Sequence, residues 1–396
     1  MNVFKPCDIL LPKTAPYPSW AVIACDQHTS EGDYWKKVED TVKNAPSMLS
    51  LILPEYYLEA DNTPRIQAIN RAMEEYLENG VFKTVPNAYL YVERTLATGR
   101  TRRGIVGAVD LCAYDFKKGA KTAIRASEET VPERIPPRVK IRENAPLESP
   151  HVMLLVDDIE KTVIEPLANK TDRFTLLYDF DLMLGGGHIK GYLVDKESEK
   201  DIDRALEALE KSAPFLFAVG DGNHSLATAK TCYEQSPTDK ARYALCEIVN
   251  IHDEALDFEP IYRVLFGADP EAVIAALQKA LPVSDNAPSH RVTCVFGGKK
   301  EVLTLGATST LAVTDLQNTL DAYLKDHPEI TIDYIHGEAE TLALAEKPNT
   351  VGFLFDGMKK EELFPAVAAD GALVRKTFSM GDAADKRYYI ECRKIK

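Results

Sequence analysis

The sequence lacks most of the features that tie a chain to a membrane, an oxidising compartment or nucleic acid. No apolar run approaches the roughly 18 residues that span a bilayer, and residues 1–8 lack the long apolar core of a secretory signal. The seven cysteines contain no Cys-x-x-Cys pair, so we expect reduced thiols in a cytoplasmic protein and no structural zinc site. Lys and Arg total 47 against 61 Asp and Glu, for a net charge of -14. Such an acidic chain is a poor partner for DNA, whose binding depends on neutralising phosphates.

Length and element patterns predict a mixed α/β or α+β protein with more than one domain. With 396 residues, of which 45% are hydrophobic and 27% charged, the chain has room for two or three globular domains. A polar stretch without clear periodicity is expected at 117–150. Strands are predicted at 20–25, 88–93, 103–110, 151–156, 174–178, 191–194, 215–219, 291–296, 302–305 and 351–355, and helices at 63–77, 201–211, 270–281 and 315–326. We divide the chain into regions 1–145, 146–250 and 251–396.

The segment Phe217–Ser225, which reads Phe-Ala-Val-Gly-Asp-Gly-Asn-His-Ser, is the strongest candidate for a functional site. A buried strand turns through glycines into a helix N-terminus, which offers unpaired backbone N–H groups and the positive end of the helix dipole to an anion. Asp221 is a candidate general base or cation ligand, and His224 a candidate phosphate contact or proton carrier. The alternative is a structural turn in which a side chain only caps the helix. The remaining candidate phosphate contacts of the turn are Gly220, Gly222, Asn223 and Ser225.

A cationic cluster lies within residues 125–142 of this acidic chain, where four arginines and a lysine accompany several prolines. Arginine binds phosphate and carboxylate groups through two parallel hydrogen bonds, so Arg134, Arg138 and Arg142 are candidate phosphate ligands. Glu128, in the same stretch, is a candidate catalytic carboxylate. The alternative is a solvated loop whose arginines pair with its own glutamates.

Two further polar segments follow predicted strands. Asp26 and His28 come directly after the strand at 20–25, and ligands of open α/β sheets bind at the carboxyl ends of strands; a plain surface turn is the alternative. Residues 185–187 are three glycines, but no Lys-Ser/Thr of a P-loop follows them, so a hairpin loop is favoured.

The eight histidines show no metal-ligand spacing. A Mg²⁺ ion held between a carboxylate and a nucleotide is still compatible with the sequence.

Five segments of the chain resemble the uncharacterised bacterial and archaeal family DUF1015, some members of which carry the label Spo0J/ParA/ParB/RepB. They are residues 20–30, 128–138, 217–225, 333–337 and 375–380, spread over nearly the whole chain. In that family the central turn commonly reads Asp-Gly-His-His-Arg. It is similar to the Asp-Gly-x-x-Arg turn that the ParB/sulfiredoxin-like superfamily uses near nucleotide phosphates.

The resemblance implies a ParB/sulfiredoxin-like nucleotide-pocket element within a larger mixed-sheet protein. Asp221, Gly222 and His224 would line the pocket by analogy. This sequence has Asn223 and Ser225 where the family has a histidine and an arginine. Because the turn lacks this arginine, the positive charge that would hold the phosphate has to come from the cluster at 125–142.

Together these observations predict a nucleotide-binding, Mg²⁺-assisted phosphotransferase or NTPase that acts on a small metabolite, with ATP, ADP or another nucleotide as cofactor. The arginines of the cluster at 125–142 would neutralise the charge that develops in phosphoryl transfer. Two alternatives stay open: a non-catalytic ParB-like module that binds a nucleotide or a protein, and a hydrolase that acts on a small acidic metabolite. DNA and membranes are not expected as partners, and association into a homo-oligomer is left open.

Overall fold

The computed structural model describes residues 3–13, 15–130, 132, 135–149, 152–381 and 385–396. The chain forms two compact units. The first comprises Met1–Ala126, Thr130–Leu256 and Gly381–Lys396, and the second Ser127–Glu129 and Asp257–Met380. Helices and strands alternate in both, so the predicted mixed α/β class is confirmed. The division into three regions at 145 and 250 stays a prediction.

The first unit contains most of the strands and the longest helices. Its helices are α1 (Tyr17–Trp20), α2 (Gly32–Val42), α3 (Thr63–Glu78), α4 (Ile135–Arg142), α5 (Lys196–Ser212) and α6 (Asn223–Gln235). Its first eight strands are β1 (Phe4–Lys5), β2 (Cys7–Pro12), β3 (Val22–Ile23), β4 (Phe82–Ala88), β5 (Leu90–Thr95), β6 (Thr101–Asp110), β7 (Tyr114–Asp115) and β8 (Ile124–Ala126). These are followed by β9 (Leu147–Glu148), β10 (Val152–Val156), β11 (Thr175–Asp181), β12 (His188–Leu193), β13 (Phe217–Asp221) and β14 (Tyr243–Asn250).

Ten described strands of this unit form one mixed sheet. Their order is β11-β12-β5-β6-β14-β10-β13-β8-β7, with β1 paired to β6. β10 runs parallel to β14 and antiparallel to β13, and Met153 of β10 is the partner of both Glu247 and Asp221. The carboxyl end of β13 therefore lies at the end of the sheet where β10 and β14 begin.

Local sequence signals predict several of these elements correctly. β5 and β6 pair antiparallel across the turn that contains Gly99, whose φ is 82°. Helix α3 begins at Thr63 and carries Pro64 in its first turn, where proline is tolerated because its missing N–H has no partner in any case. Helix α5 buries Ile202 and Leu206 on one side, as its 3.6-residue apolar period predicts.

Two expectations for the first unit need correction. The apolar run Trp20–Cys25 is not one strand: Trp20 ends helix α1, and strand β3 covers only two residues. The run is apolar because other segments of the chain bury it. One of them is the C-terminal segment, where the carbonyl oxygen of Ile390 accepts a hydrogen bond from the Trp20 indole N–H at 2.9 Å. The stretch 117–150 also contains regular structure, namely β8, α4 and β9.

The C-terminal segment 385–396 completes the first unit. It contains β21 (Tyr388–Tyr389) and β22 (Arg393–Lys394). β21 pairs with β3, and β22 pairs with β9. Between these pairings Leu10 and Cys392 form an isolated bridge. The last dozen residues are thereby bound to segments from the first half of the chain.

The second unit is built on an antiparallel sheet. Its strands are β15 (Phe258–Phe266), β16 (Ser289–Phe296), β17 (Lys299–Gly306), β18 (Thr331–His336), β19 (Thr350–Leu354) and β20 (Phe378–Met380). The strand order is β17-β16-β19-β15-β18, with β20 paired to β15. Its helices are α7 (Pro270–Ala280), α8 (Ala312–Asp326), α9 (Glu338–Ala345) and α10 (Leu363–Asp370). Within the described ranges, no helix combines the length and apolar character that crossing a bilayer requires.

Candidate functional site

The turn between β13 and α6 has the backbone geometry of an anion site. β13 ends at Asp221, Gly222 adopts a left-handed conformation with φ 95°, and α6 begins at Asn223. The first helical hydrogen bond runs from the Leu226 N–H to the Gly222 carbonyl oxygen at 3.0 Å. Gly222, at the N-cap position, has no side chain with which to cap the helix. The helix thus presents its first turn and its positive dipole end at the end of the sheet.

Gly222 is required at this turn for two reasons. Its φ lies in the left-handed region, which costs an L-residue about 1–2 kcal/mol. A Cβ there would also approach an Arg387 guanidinium nitrogen and a Val152 methyl group at 3.3 Å each. The position is therefore reserved for a residue without a side chain, which brings the backbone close to Arg387.

Asp221 and Arg387 form the central charge pair of this region. Asp221 Oδ2 lies 3.5 Å from Arg387 Nε, and the two side chains are only 19% and 3% exposed. Burial by itself would raise the pKa of the Asp221 carboxyl, but the Arg387 guanidinium and other nearby cations hold this pKa below its usual range. Burial by itself would lower the pKa of Arg387, but Asp221 together with other anionic neighbours raises this pKa above its usual value. Both groups are charged at neutral pH.

The C-terminal segment brings Arg387 to this position and places Asp26 near it. The Ala24 N–H donates to the Arg387 carbonyl oxygen at 2.8 Å, so the backbone of residue 387 lies against the residues that precede Asp26. Asp26 and Glu247 add to the electrostatic attraction on the Arg387 guanidinium. Two sequence-predicted residues, Asp26 and Asp221, therefore share a cation that the sequence analysis did not single out.

His28 occupies the same N-terminal loop and is held by local contacts. Its ring stacks on Tyr34 with 3.7 Å between the centroids, and its Nδ1 lies 3.0 Å from a Glu31 carboxylate oxygen. The Tyr34 hydroxyl is 3.5 Å from that of Tyr388, which follows Arg387 directly. His28 is thus connected through Tyr34 to the segment that carries Arg387.

The other predicted residues of the turn lie at the start of α6. Gly220 is in β13, one residue before Asp221. Asn223, His224 and Ser225 form the first turn of α6 and are half-buried. The His224 carbonyl oxygen accepts a hydrogen bond from the Thr228 hydroxyl at 2.7 Å. The predicted imidazole, amide and hydroxyl side chains thus lie in the first turn of α6, and the predicted acid, Asp221, ends the strand just before it.

Two arginines of the cluster at 125–142 have carboxylate partners of their own. Arg138 forms an ion pair with Glu55. Arg142 pairs with Glu148 at 2.6 Å, and Glu148 also pairs with Arg393 at 2.6 Å. These two guanidinium groups overcome the effect of burial and lower the pKa of Glu148. Arg134 lies outside the described residues.

Glu128 belongs to the second unit. Its carboxylate accepts hydrogen bonds from the backbone N–H groups of Lys376 at 3.1 Å, Thr377 at 2.9 Å and Phe378 at 3.5 Å. Burial outweighs these bonds and raises the pKa of Glu128. Lys376 has a φ of 57°, so the carboxylate holds a backbone segment in an unusual conformation. In this structure the Glu128 carboxylate therefore has a structural role, which is to hold the backbone of residues 376–378.

The three-glycine segment 185–187 forms the turn between β11 and β12, in agreement with the hairpin prediction. The Gly186 carbonyl oxygen accepts hydrogen bonds from the Arg94 guanidinium at 2.6 and 3.0 Å. A Cβ at Gly186 would overlap the Tyr388 ring, and one at Gly187 would overlap the Thr95 carbonyl oxygen. Close packing therefore explains both glycines.

A buried charge cluster in the first unit escaped the sequence analysis. Five buried charged side chains line a cavity of about 10 Å³, which is about the size of one water molecule. They are Arg94, Arg102, Glu247, Arg387 and Glu391. Arg102 Nε is buried without a hydrogen-bond partner among the described residues. The available signal was an arginine at the polar end of each of two strands, Arg94 in β5 and Arg102 in β6.

Metal-binding residues do not cluster in the described part of the chain. No group of three or more His, Cys, Asp or Glu side chains there is arranged to hold a metal ion. Asp221 is the acidic side chain of the turn. A cation at this position would therefore draw most of its ligands from its phosphate partner and from water.

Comparisons with known proteins find several solved structures of distantly similar fold and one matching protein family. A conserved hypothetical protein from Pyrococcus furiosus is 13% identical with a TM-score of 0.39, over 73% of this chain and 94% of that one. A free serine kinase variant in complex with ADP is 10% identical with a TM-score of 0.41, over 72% and 90%. A C-terminally truncated SbnI from Staphylococcus aureus is 10% identical with a TM-score of 0.37, over 70% and 83%. At these scores the likenesses carry no inference for this chain.

The family comparison covers most of the sequence. No curated protein matches it. The profile described as "Protein of unknown function (DUF1015)" matches residues 5–323, which is well over half of the 396 residues. The chain belongs to the DUF1015 family.

Proposed function

We propose that the first unit binds the phosphate groups of a nucleotide at the turn Asp221–Ser225 and acts as a nucleotide-dependent phosphotransferase or NTPase on a small metabolite. One observation carries the proposal. Helix α6 begins after a left-handed glycine, which has no side chain of its own to cap the helix, next to the buried guanidinium of Arg387. Backbone N–H groups, the helix dipole and a fixed cation all favour an anion at this point.

Arg387 takes over the role that the sequence analysis assigned to the cluster at 125–142. Arg138 and Arg142 are paired with Glu55 and Glu148, whereas Arg387 lies beside the turn itself. A guanidinium that stays charged and loses little freedom on binding is suited to stabilise the charge of a transferring phosphoryl group. This assignment supplies a cation where Ser225 replaces the arginine expected from the resemblance.

Asp221 and His224 are the proposed reacting groups. Asp221 is ionised at neutral pH, so its carboxylate is able to accept and orient the hydroxyl of a metabolite. His224, in the first turn of α6, would contact the phosphate or carry the proton. When bound, a Mg²⁺–nucleotide would supply the phosphoryl group and neutralise part of its charge. Asp221 would be its candidate protein ligand, with phosphate oxygens and water as the others.

A thermal-shift and turnover experiment tests the proposal. We expect ADP or ATP with Mg²⁺, at about 100 times its dissociation constant, to stabilise the protein by about 2.7 kcal/mol. Gly222→Ala should remove this stabilisation, because a Cβ would displace the backbone that faces the phosphate. Gly337→Ala is the matched control: Gly337 also precedes a helix at positive φ, 87°, but no atom lies within 4 Å of its added Cβ.

The outcomes separate the proposal from its rivals. A shift that survives Gly222→Ala would place the nucleotide elsewhere. No shift with any nucleotide would remove the phosphotransferase function and favour a hydrolase of a small acidic metabolite. Release or transfer of the γ-phosphate by the wild type, lost in Asp221→Asn, would support catalysis at this turn.

A non-catalytic nucleotide-binding module is the second candidate. It is supported by the lowered pKa of Asp221, because a general base works best when its pKa lies near the operating pH. The discriminating result is a nucleotide that binds at the turn and is recovered intact after long incubation with Mg²⁺ and candidate metabolites.

A further inference from the structure

A second cavity of the first unit is lined by charge of mostly one sign. Its volume is about 560 Å³, within the range of roughly 300–1,000 Å³ that is typical of small-molecule pockets. Four cationic side chains and two carboxylates line it, in a chain whose net charge is -14. A concave surface with excess positive charge concentrates anions from solution. The cations are Lys5, Lys240, Arg393 and Lys394, and the carboxylates are Asp8 and Asp239.

Two of these cations are available to a ligand. Among the described residues, no carboxylate forms an ion pair with Lys5 or Lys394, whereas Arg393 is bound to Glu148 at 2.6 Å. The Lys5 ammonium lies 3.4 Å from the centre of the Tyr243 ring, which is also part of the lining. This cation–π contact keeps the ammonium at the cavity while leaving its hydrogen-bond donors without a carboxylate.

Two carboxylates of the wall, Asp8 and Asp239, offset part of its positive charge. The Asp8 carboxylate already accepts a hydrogen bond from the Asn87 N–H at 2.9 Å. Cys7 also lines the cavity, and burial raises the pKa of its thiol to about 12, so it is neutral at physiological pH. The positive charge of the lysines is therefore only partly offset.

This cavity is separate from the Asp221 turn. Its lining includes Lys5 and Ala108 of the β1–β6 pair, while Asp221 ends β13. β14 and β10 lie between β6 and β13 in the sheet. Three strand spacings amount to about 14 Å, so one phosphate group cannot contact both places.

We propose that this cavity is a second ligand site, which binds a small multivalent anion bearing phosphate or carboxylate groups through Lys5 and Lys394. The ligand is bound independently of the nucleotide site. Lys5 on β1 and Lys394 on β22 favour an anion that carries more than one charged group, because each lysine provides a point charge rather than a bidentate fork. Lys240 also lines the cavity, but its ammonium donates to the Lys396 oxygen at 2.7 Å.

Calorimetric titration of the full chain with inorganic pyrophosphate, and separately with citrate, tests the proposal. Lys5→Gln/Lys394→Gln should weaken binding by at least about tenfold, since a hydrogen bond to a charged group contributes about 1.5–3 kcal/mol. Lys5→Arg/Lys394→Arg should largely restore it. The matched control is Lys299→Gln/Lys347→Gln, which removes two lysines that also lie over aromatic rings, at 5.9 Å each, in the second unit.

Each outcome decides the matter. Weaker binding in the cavity variant but not in the control supports the proposal, and the comparison of pyrophosphate with citrate tells which anionic group is preferred. Three results would overturn it: no binding to the wild type, equal binding by the cavity variant, or equal weakening in the control. Gly222→Ala should leave this binding intact, so the nucleotide proposal and this one are able to fail separately.

Discussion

Replacing Arg387 by methionine tests whether this residue holds together the carboxylates at the end of β13. The Arg387 side chain is 3% exposed and its Nε lies 3.5 Å from Asp221 Oδ2. Asp26 and Glu247 also attract the guanidinium. Methionine has a similar aliphatic reach, so Arg387→Met keeps much of the packing and leaves three carboxylates without their common cation.

The magnitude follows from the buried pair. Removing one partner of a buried ion pair costs about 3–5 kcal/mol because the other charge stays buried without compensation. In Asp221→Ala, Arg387 still has Asp26 and Glu247 as partners, so we expect a loss of about 3 kcal/mol, at the low end. In Arg387→Met, three carboxylates lose the cation that they share, and we expect about 5 kcal/mol. The double variant should lose less than the sum, with a coupling of about 2 kcal/mol.

Urea unfolding followed by tryptophan fluorescence measures these losses in the relevant unit. The chain contains two tryptophans, Trp20 and Trp35, and both are buried in the first unit. Their emission therefore reports on that unit separately from the second. A loss for Arg387→Met that is smaller than that for Asp221→Ala, or strictly additive losses, would refute the reasoning.

The pH dependence provides an independent check on the same pair. In the wild type the folded pKa of Asp221 is depressed, so the pair stabilises the fold above the unfolded pKa of about 3.9 and this contribution is lost as the pH falls through the folded value. In Arg387→Met the strongest of the depressing cations is absent, so burial raises the folded pKa of Asp221 relative to the wild type, although Lys386 and Arg102 still lower it. The stability deficit of the variant should therefore shrink as the pH falls from neutral towards the unfolded pKa of about 3.9. A deficit that is constant over this range would contradict the account.

Three further predictions concern other charged groups. Glu148→Gln should cost the first unit about 3 kcal/mol in urea unfolding, because the buried Arg393 and the half-buried Arg142 lose their shared carboxylate; a loss below about 1 kcal/mol would contradict this. The hydrogen bond of His188 with Asp181 is the main cause of its raised pKa, so NMR titration should give a value above 6.5 that falls in Asp181→Asn. The associated stabilisation is present below the unfolded pKa and is lost as the pH rises through the folded one. Glu128→Ala should speed amide hydrogen exchange at Lys376, and unchanged exchange would show that the carboxylate does not hold that segment.

Much of the fold was predictable because the responsible signals are local. The 3.6-residue apolar period of α5 and the proline at the start of α3 act within a few turns of chain, and both helices form where these signals predict. The turn Asp221–Ser225 was likewise identified from its own residues. The run at Trp20 was misread as a strand, because a buried apolar segment looks the same in a sequence whether it is a helix or a strand.

The charge that completes the candidate site was not predictable from the local pattern. Arg387 lies far from Asp221 and Asp26 along the chain and reaches them only because β21 pairs with β3. The same holds for Glu148 and Arg393, which meet because β22 pairs with β9. The sequence by itself determined the helix-opening turn, because a glycine between a strand and a helix acts through its own backbone. Only the tertiary structure decided which cation faces that turn, because an ion pair depends on the distance between side chains that strand pairing brings together.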